Sequence, residues 1–100
     1  MANKISRLAE KIYQLRVLRR IPAKDVAALI GVEPPLYSRI ERGERTLKPE
    51  QLDILANFYQ IDVEELQALQ LADKMQQLAE GKPAAITEKA IEIIKEDLNA

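Results

Sequence analysis

Apolar residues recur at helical spacing in six stretches of the chain, and polar residues fill the positions between them. The first five predicted helices cover about residues 3–19, 22–30, 34–42, 49–59 and 63–80, and a sixth covers residues 88–98. The first helix has one apolar face, made of Ile5, Leu8, Ile12, Leu15 and Leu18. Glycines are few and no Asn-Gly or Asp-Gly hairpin signal occurs, so the pattern predicts an all-α chain.

Residues that start and stop helices set these boundaries. Proline suits the first turn of a helix, where its missing N–H had no partner, and three helices begin with one: Pro22, Pro34 and Pro49. Glycine adopts the left-handed conformation that ends many helices, and Gly31 and Gly43 stand where helices two and three stop. Asp62 and Glu65 have the spacing of a capping box for the fifth helix, and Thr87 is the predicted cap of the sixth.

Residues 21–43 contain two short helices joined by a tight turn at Gly31. Their apolar positions are Val26, Ala27, Leu29 and Ile30 in the first helix and Leu36, Tyr37 and Ile40 in the second. Two helices packed across such a turn make a helix-turn-helix, whose second helix can lie in a DNA major groove. Helix four is predicted to pack on this motif through Leu52, Leu55, Ala56, Phe58 and Tyr59.

Residues 21–43 resemble, without a gap, the helix-turn-helix of the Cro and phage-repressor family. The resemblance is carried by Ala27, Gly31, Val32 and the run Ser38-Arg39-Ile40-Glu41-Arg42-Gly43, and similarity extends over roughly residues 5–70. It implies a five-helix lambda-repressor-like DNA-binding domain over residues 1–70, with a long fifth helix. Residues 71–100 are then expected to form an added C-terminal helical extension.

A narrower likeness concerns the run YSRIERGER, from Tyr37 to Arg45, and the later Leu71-Ala72-Asp73-Lys74. Both stretches resemble a subgroup of small bacterial regulators, some of which sit beside restriction-modification genes. This likeness favours a bacterial controller in such a setting.

The resemblance implies that the third helix and the loop after it contact DNA. Arg39 matches a base-contacting position of the family, and arginine binds guanine in a bidentate way worth about 1–3 kcal/mol of discrimination. For Arg39 and Lys24 the alternative is a solvated side chain on an exposed helix face. The predicted DNA-binding residues are Lys24, Pro35, Leu36, Ser38, Arg39, Arg42, Arg45 and Lys48, of which the last three match the region where the family grips phosphates.

The sequence departs from the family close to these positions. Pro22 and Ala23 replace the common serine or threonine cap and the glutamine that usually helps to hold the phosphate backbone. Pro34 and Pro35 cannot hydrogen-bond a base, although proline and leucine can touch thymine methyl groups, and Glu33 would repel phosphate. The sequence leaves open whether base readout survives these departures.

Four residues are expected to hold the motif together: Arg16, Gly31, Glu41 and Gly43. In the resembled family, the arginine equivalent to Arg16 pairs with the glutamate equivalent to Glu41, which ties helix one to the second helix of the motif. Losing one partner of a partly buried ion pair is expensive. Tyr37 falls at an apolar family position, so we expect it in the core with its hydroxyl at the rim.

Charge is unevenly distributed although the net charge is only −1. Residues 1–61 carry eleven Lys/Arg and seven Asp/Glu, whereas residues 62–100 carry four and nine. The basic front half suits a polyanion such as double-stranded DNA, and the acidic remainder is not expected to touch it. The alternative is that so small an imbalance has no meaning.

Several classes of function lack the residues that they require. The chain has no cysteine and no histidine, no glycine-rich phosphate loop and no cluster of metal ligands. We therefore predict no catalysis, no metal and no cofactor. No apolar run approaches a membrane span and the N-terminus lacks the apolar core of a secretory signal, so we expect a cytoplasmic protein without membrane contact.

Apolar residues continue beyond the predicted DNA-binding domain. Those predicted to form a homodimer interface are Leu71, Met75, Leu78, Ile91 and Ile94. A helix-turn-helix that reads a pseudo-palindrome needs two copies about 34 Å apart, which agrees with a dimer. The alternative is that the last helix folds back on helices five and one of its own chain.

Together these patterns predict a sequence-specific transcriptional regulator, a repressor or controller that acts as a homodimer. The alternative is an antitoxin or protein-interaction module that keeps the fold, binds DNA weakly or not at all, and uses its acidic C-terminal half to bind a partner such as a toxin. Four residues favour this alternative: Ala23, Glu33, Pro34 and Pro35.

Overall fold

The computed structural model of the chain describes residues 6–100, which fold into six α-helices without a strand. The helices are α1 (Arg7–Leu18), α2 (Ala23–Leu29), α3 (Pro34–Glu41), α4 (Pro49–Tyr59), α5 (Val63–Ala79) and α6 (Ala84–Leu98). The predicted all-α class is confirmed, as are the long fifth helix and the added C-terminal helix. The predicted beginning of the first helix at residues 3–5, with Ile5, lies outside the described residues.

The hydrophobic core lies among the first five helices and includes the buried faces of the helix-turn-helix. Its largest fully buried side chains are Ile12, Val26, Tyr37, Leu55, Tyr59 and Leu66. Burying an aliphatic or aromatic side chain contributes about 1.5–3 kcal/mol each. The closest packing joins α2 to α3, α5 to α1 and α4, and α1 to α3. The core therefore fixes α3 relative to the elements around it.

Three residues predicted on the apolar faces of their helices lie at the surface instead: Leu18, Leu29 and Phe58. Leu29 is 38% exposed. Leu18 is 80% exposed because it is the last residue of α1, after which the chain turns away at Arg20 with φ of +56°. Phe58 is 39% exposed, and its ring lies edge-on to that of Tyr59 with 5.0 Å between the centroids. Tyr59, one residue on, is 1% exposed and takes the core position.

The sixth helix starts about one turn before its predicted residue, and in the first helix Ser6, predicted to be helical, is the N-cap. α1 begins at Arg7 because Ser6 has an extended backbone and its hydroxyl accepts a hydrogen bond from the Ala9 N–H at 3.0 Å. α6 begins at Ala84, since Pro83 occupies the cap position and alanine is the best helix former. Thr87 therefore lies inside α6, and its backbone N–H donates to the Pro83 carbonyl at 3.3 Å.

The start of α5 lies at the predicted residue but lacks the predicted capping box. The Asp62 carboxylate accepts from the Glu64 N–H at 2.9 Å. Glu65 instead extends to α1, where its carboxylate lies 2.8 Å from the Lys11 ammonium. The bond that was predicted for Glu65 does occur at the start of α4, where the Gln51 side chain accepts from the Lys48 backbone N–H at 2.8 Å.

The turn between α2 and α3 is a Schellman motif centred on Gly31, which has φ of +74°. The Val32 N–H donates to the Ala27 carbonyl at 2.9 Å, and the Gly31 N–H donates to the Ala28 carbonyl at 3.2 Å. These bonds satisfy the last carbonyls of α2 and aim the chain directly into α3.

The C-terminal helix contributes nothing to this core, because no residue of α6 is buried. Within residues 6–100, no helix is long and apolar enough to cross a membrane. The fold is therefore a compact five-helix unit, on which α3 is held, followed by an exposed helix.

Candidate nucleic-acid interface

α3 has a buried side and a solvent-facing side. Tyr37 and Ile40 are buried in the core, and Leu36 is partly buried against it. Leu36 thus lies at the edge of the solvent-facing side rather than in its centre. The residues of α3 and its cap that are exposed are Glu33, Pro34, Pro35, Ser38, Arg39 and Arg42.

A network of hydrogen bonds behind α3 fixes its orientation. The Arg16 guanidinium donates to both oxygens of Glu41, with Nε–Oε2 at 2.6 Å and Nη2–Oε1 at 3.0 Å, and also to the Ile21 carbonyl at 3.0 Å. The Tyr37 hydroxyl donates to the same Oε2 at 2.6 Å. A bidentate arginine–carboxylate pair has a more defined geometry than a single hydrogen bond, so the Arg16–Glu41 pair holds α1 and α3 in one relative orientation.

The pKa values of both Tyr37 and Arg16 are raised in this network. Burial, followed by the hydrogen bond to Glu41, raises the pKa of Tyr37 well above its ordinary value. The hydrogen bond to Glu41 raises the pKa of Arg16 and outweighs the opposing effect of burial. At neutral pH, therefore, a neutral phenol and a charged guanidinium hold the carboxylate from two sides.

Glu44 lies between the two arginines on the solvent-facing side of α3. Its carboxylate is 3.0 Å from Arg42 Nε and 3.9 Å from Arg39 Nε. The hydrogen bond from Arg42 holds the pKa of Glu44 below its ordinary value, so the carboxylate is charged at neutral pH. All three side chains are about half exposed. Part of the positive charge on this face is therefore neutralised within the chain.

The turn that ends α3 explains this arrangement. Gly43 has φ of +78°, and the Glu44 N–H donates back to the Arg39 carbonyl at 2.9 Å. The chain thus doubles back over the end of α3 and brings Glu44 to the arginines. A Cβ on Gly43 would lie 2.7 Å from the Ser6 Cβ, so this glycine is also required by the close approach of the α1 cap.

The loop with Arg45 and Lys48 is anchored by hydrogen bonds to α5. Leu47 is buried, its N–H donates to the Gln70 side chain at 2.9 Å, and its carbonyl accepts from the same amide group at 3.0 Å. Arg45 and Lys48 are exposed on either side of this anchor. α5 therefore positions a cationic loop next to the end of α3.

A comparison with known protein families matches residues 12–66, more than half of the chain, to the helix-turn-helix family. The chain belongs to the Cro/C1-type helix-turn-helix family. Comparisons with curated proteins and with solved structures give no match. The predicted family and its lambda-repressor-like fold are confirmed, and membership supports a DNA-binding regulator. The family is not typically enzymatic, and within residues 6–100 no group of three possible metal ligands comes together.

The N-terminus of α1 is joined to α5 by a residue that sequence reasoning did not single out for this purpose. Asp73 accepts from the backbone N–H groups of Arg7 and Leu8 at 2.9 and 3.1 Å, and from the Ser6 hydroxyl at 2.9 Å. The Arg7 guanidinium adds a bond of 3.3 Å. A side chain of α5 thus caps the N-terminus of α1, a favourable site for an anion.

Hydrogen bonding decides the protonation of this cap. Burial acts to raise the pKa of Asp73, but the donors from Arg7, Leu8 and Ser6 together hold it below its ordinary value. The carboxylate is therefore charged under all but strongly acidic conditions.

The predicted DNA-binding residues lie in three places: α3 and its cap, the loop that follows it, and the first turn of α2. Pro35, Ser38, Arg39 and Arg42 share the exposed part of α3 and its cap, and Arg45 and Lys48 lie in the loop that follows. Lys24 lies apart from them in the first turn of α2, where it is exposed. Gln70 and Asp73 were missed as positioning residues. Neither had a local signal, because the groups that they bond lie 23 or more residues away along the chain.

Proposed function

We propose that this helix-turn-helix protein is a sequence-specific transcriptional regulator, a repressor or controller that binds double-stranded DNA as a homodimer. One observation carries the proposal: Arg39 is exposed on α3, a helix held rigidly from behind by Arg16, Tyr37 and Glu41. A rigid helix with an exposed arginine can present its guanidinium to a guanine edge in the major groove.

The chemistry and exposure of each side chain indicate which part of the DNA it contacts. Arg39 reads bases, Pro35 and Leu36 touch thymine methyl groups, and Ser38 hydrogen-bonds a base or a phosphate. The exposed cations around them, Lys24, Arg42, Arg45 and Lys48, neutralise phosphates and supply affinity without sequence preference. On this proposal residues 1–70 bind DNA, and residues 71–100 serve dimerisation.

Dimerisation is supported by exposed apolar residues in the C-terminal part. Leu71, Met75 and Leu78 of α5 are 59%, 36% and 77% exposed, and Ile91 and Ile94 of α6 are 42% and 46% exposed. Uncovered apolar side chains in such number are typical of an interaction surface. A dimer also supplies the two copies of α3 that a palindromic operator requires.

The test is a DNA-binding titration of the purified protein on the DNA upstream of its own gene, at two salt concentrations. Arg39→Ala is expected to lose about 1–3 kcal/mol of discrimination between cognate and unrelated DNA. Arg45→Ala is expected to weaken binding to both and to lower the salt dependence by about 0.9 in log–log slope. Lys82→Ala, which removes a charge in the α5–α6 turn, serves as the control.

Failure to bind any DNA at low salt would contradict the proposal. That result would favour the antitoxin or protein-interaction alternative, with α5 and α6 as the protein-binding surface. The gene next to this one gives an independent indication: a toxin gene supports the alternative, and a methyltransferase or restriction gene supports a controller of a restriction-modification system.

A further inference from the structure

α6 is an amphipathic helix whose apolar side is uncovered. None of its residues is buried, and within residues 6–100 none of its charged side chains forms an ion pair. A 15-residue helix without tertiary packing is marginal in water. The helix therefore needs another surface to cover its apolar side.

One stripe on this side has the spacing of a coiled-coil seam. Thr87, Ile91, Ile94 and Leu98 follow one another at intervals of four, three and four residues, as a and d positions do. The three large apolar members are between 42% and 78% exposed. A seam of this kind packs against a second helix.

Two opposite charges border the seam on the same flank. At about 100° per residue, Glu88 and Lys95 project within about 20° of each other, beside Ile91. They are seven residues apart, about 10 Å along the axis, and so cannot pair with each other. The flank thus has an acid towards its N-terminal end and a base towards its C-terminal end.

A second α6 running in the opposite direction complements this flank. In an antiparallel pair, the same flanks of the two helices face each other with their order reversed, so Glu88 lies opposite Lys95 of the second copy, and Lys95 opposite its Glu88. The same register brings Ile91 opposite Ile94 of the second copy and Thr87 opposite its Leu98, within about one turn. In a parallel pair this flank would instead face the opposite flank of the other helix, where Ala90 and Asp97 offer no basic partner for Glu88.

We infer that α6 pairs with α6 of a second copy in antiparallel orientation, through the Thr87–Leu98 seam and two symmetric Glu88–Lys95 ion pairs. The inference rests on the proposed homodimer and gives it an orientation. The seam is only about three turns long, so this contact alone forms a small interface and a weak dimer, with dissociation in the micromolar range.

Charge reversal on full-length protein tests the orientation, with dimer dissociation measured by sedimentation equilibrium. Glu88→Lys and Lys95→Glu, made singly, each bring like charges together twice across the pair and are expected to weaken the homodimer about tenfold at low salt. An equimolar mixture of the two single variants is expected to form a heterodimer at least as tight as the wild type. The double variant is expected to recover the homodimer.

Lys89→Glu and Glu96→Lys are the matched controls. They reverse the same charges on the same helix, but on the flank remote from the seam, and are expected to leave dissociation within about twofold of the wild type. If these controls weaken the dimer as much as Glu88→Lys and Lys95→Glu do, the inference is overturned. It is also overturned if the mixture of the two single variants fails to form a heterodimer as tight as the wild type. A wild type that stays monomeric at high micromolar concentration would overturn it too.

DNA binding measured on the same proteins separates this inference from the proposed function. If the charge reversals leave dimer dissociation unchanged and the protein still binds two-site DNA, the regulator proposal stands and only the α6 pairing is rejected. A dimer that responds as expected but binds no DNA would retain the pairing and reject the regulator.

Discussion

At the scale of single residues, Glu44 determines how much positive charge the candidate interface presents. Its carboxylate lies within 3.9 Å of both Arg39 and Arg42, the arginines proposed to contact bases and phosphates. Binding to DNA must then either break these contacts or hold Glu44 close to the phosphate backbone, where its charge is repelled. Either way the residue opposes binding.

Glu44→Gln is therefore expected to strengthen DNA binding, by roughly threefold to tenfold at low salt, and by less as salt screens the charge. The variant keeps the size of the side chain and removes its charge. A titration against cognate and unrelated DNA is the measurement, and both affinities are expected to rise. Glu64→Gln, at an exposed site in the first turn of α5, makes the same change in net charge. An equal gain there would show that net charge, and not the arginine contacts, is responsible.

Two buried tyrosines offer a second test at this scale, since their hydroxyls have different surroundings. The Tyr37 hydroxyl donates to Glu41, whereas the Tyr59 hydroxyl is buried without a hydrogen-bond partner in the described structure. Tyr37→Phe is expected to lower the free energy of unfolding by about 1–3 kcal/mol, because it removes a hydrogen bond to a charged group. Tyr59→Phe is expected to leave it unchanged or raise it by about 1 kcal/mol, because an unsatisfied polar atom is removed.

Urea unfolding followed by helical circular dichroism measures both variants with one signal. Similar losses for the two substitutions would mean that the Tyr59 hydroxyl has a partner after all, such as a buried water. A loss only for Tyr59→Phe would contradict the role given to the Tyr37–Glu41 bond.

At the scale of elements, α5 supports two segments beside the end of α3: the loop that follows α3 and the N-terminus of α1. Gln70 anchors the loop that carries Arg45 and Lys48, and Asp73 caps α1 next to the end of α3. The predicted division of the chain at residue 70 falls inside this helix. Structural changes in the C-terminal part of α5 are therefore expected to reach the helix-turn-helix directly.

Asp73→Asn tests this support. An amide cannot accept from all the donors that meet the carboxylate, so we expect a loss of about 2–3 kcal/mol in the free energy of unfolding near neutral pH. Because the folded pKa of Asp73 is below its ordinary value, its stabilising effect is present above about pH 4 and is lost as pH falls through the folded pKa. The difference between wild type and variant should accordingly shrink on acidification.

Urea unfolding at a series of pH values measures this convergence. Asp53→Asn is the control, since Asp53 is exposed on α4, and within residues 6–100 it forms no ion pair. A constant difference between wild type and Asp73→Asn down to pH 3 would mean that the loss arises from packing and not from the charged cap.

The elements also indicate which parts of the structure a sequence can predict. The helix-turn-helix could be predicted because its determinants are local: Gly31 and Gly43 end helices at fixed offsets, and apolar spacing marks the buried faces. The supporting contacts could not, because Asp73 and Gln70 meet partners about 67 and 23 residues away, and no spacing rule links such pairs. The start of α6 was predicted wrongly because threonine is a favourable N-cap residue. In the structure Pro83 is the N-cap, and the two alanines after it begin the helix before Thr87.

At the scale of the whole molecule, the buried core and the surface proposed for dimerisation lie in different parts of the chain. The buried core runs from Leu8 to Leu66 and takes no residue from α6. The apolar surface proposed for dimerisation lies in the C-terminal half of α5 and in α6. Folding of the DNA-binding unit and pairing of two copies should thus be separable.

A chain that ends at Lys82 tests this separation. We expect its free energy of unfolding to stay within about 1 kcal/mol of the full chain, measured at concentrations where both are monomeric, because no buried side chain is lost. On DNA with two half-sites the full chain should bind more weakly when about five base pairs, half a helical turn, are inserted between them. The shortened chain should be indifferent to that insertion, since its two copies bind independently. If it unfolds at room temperature, α6 is part of the folding unit, and core and interface are not separate parts of the chain.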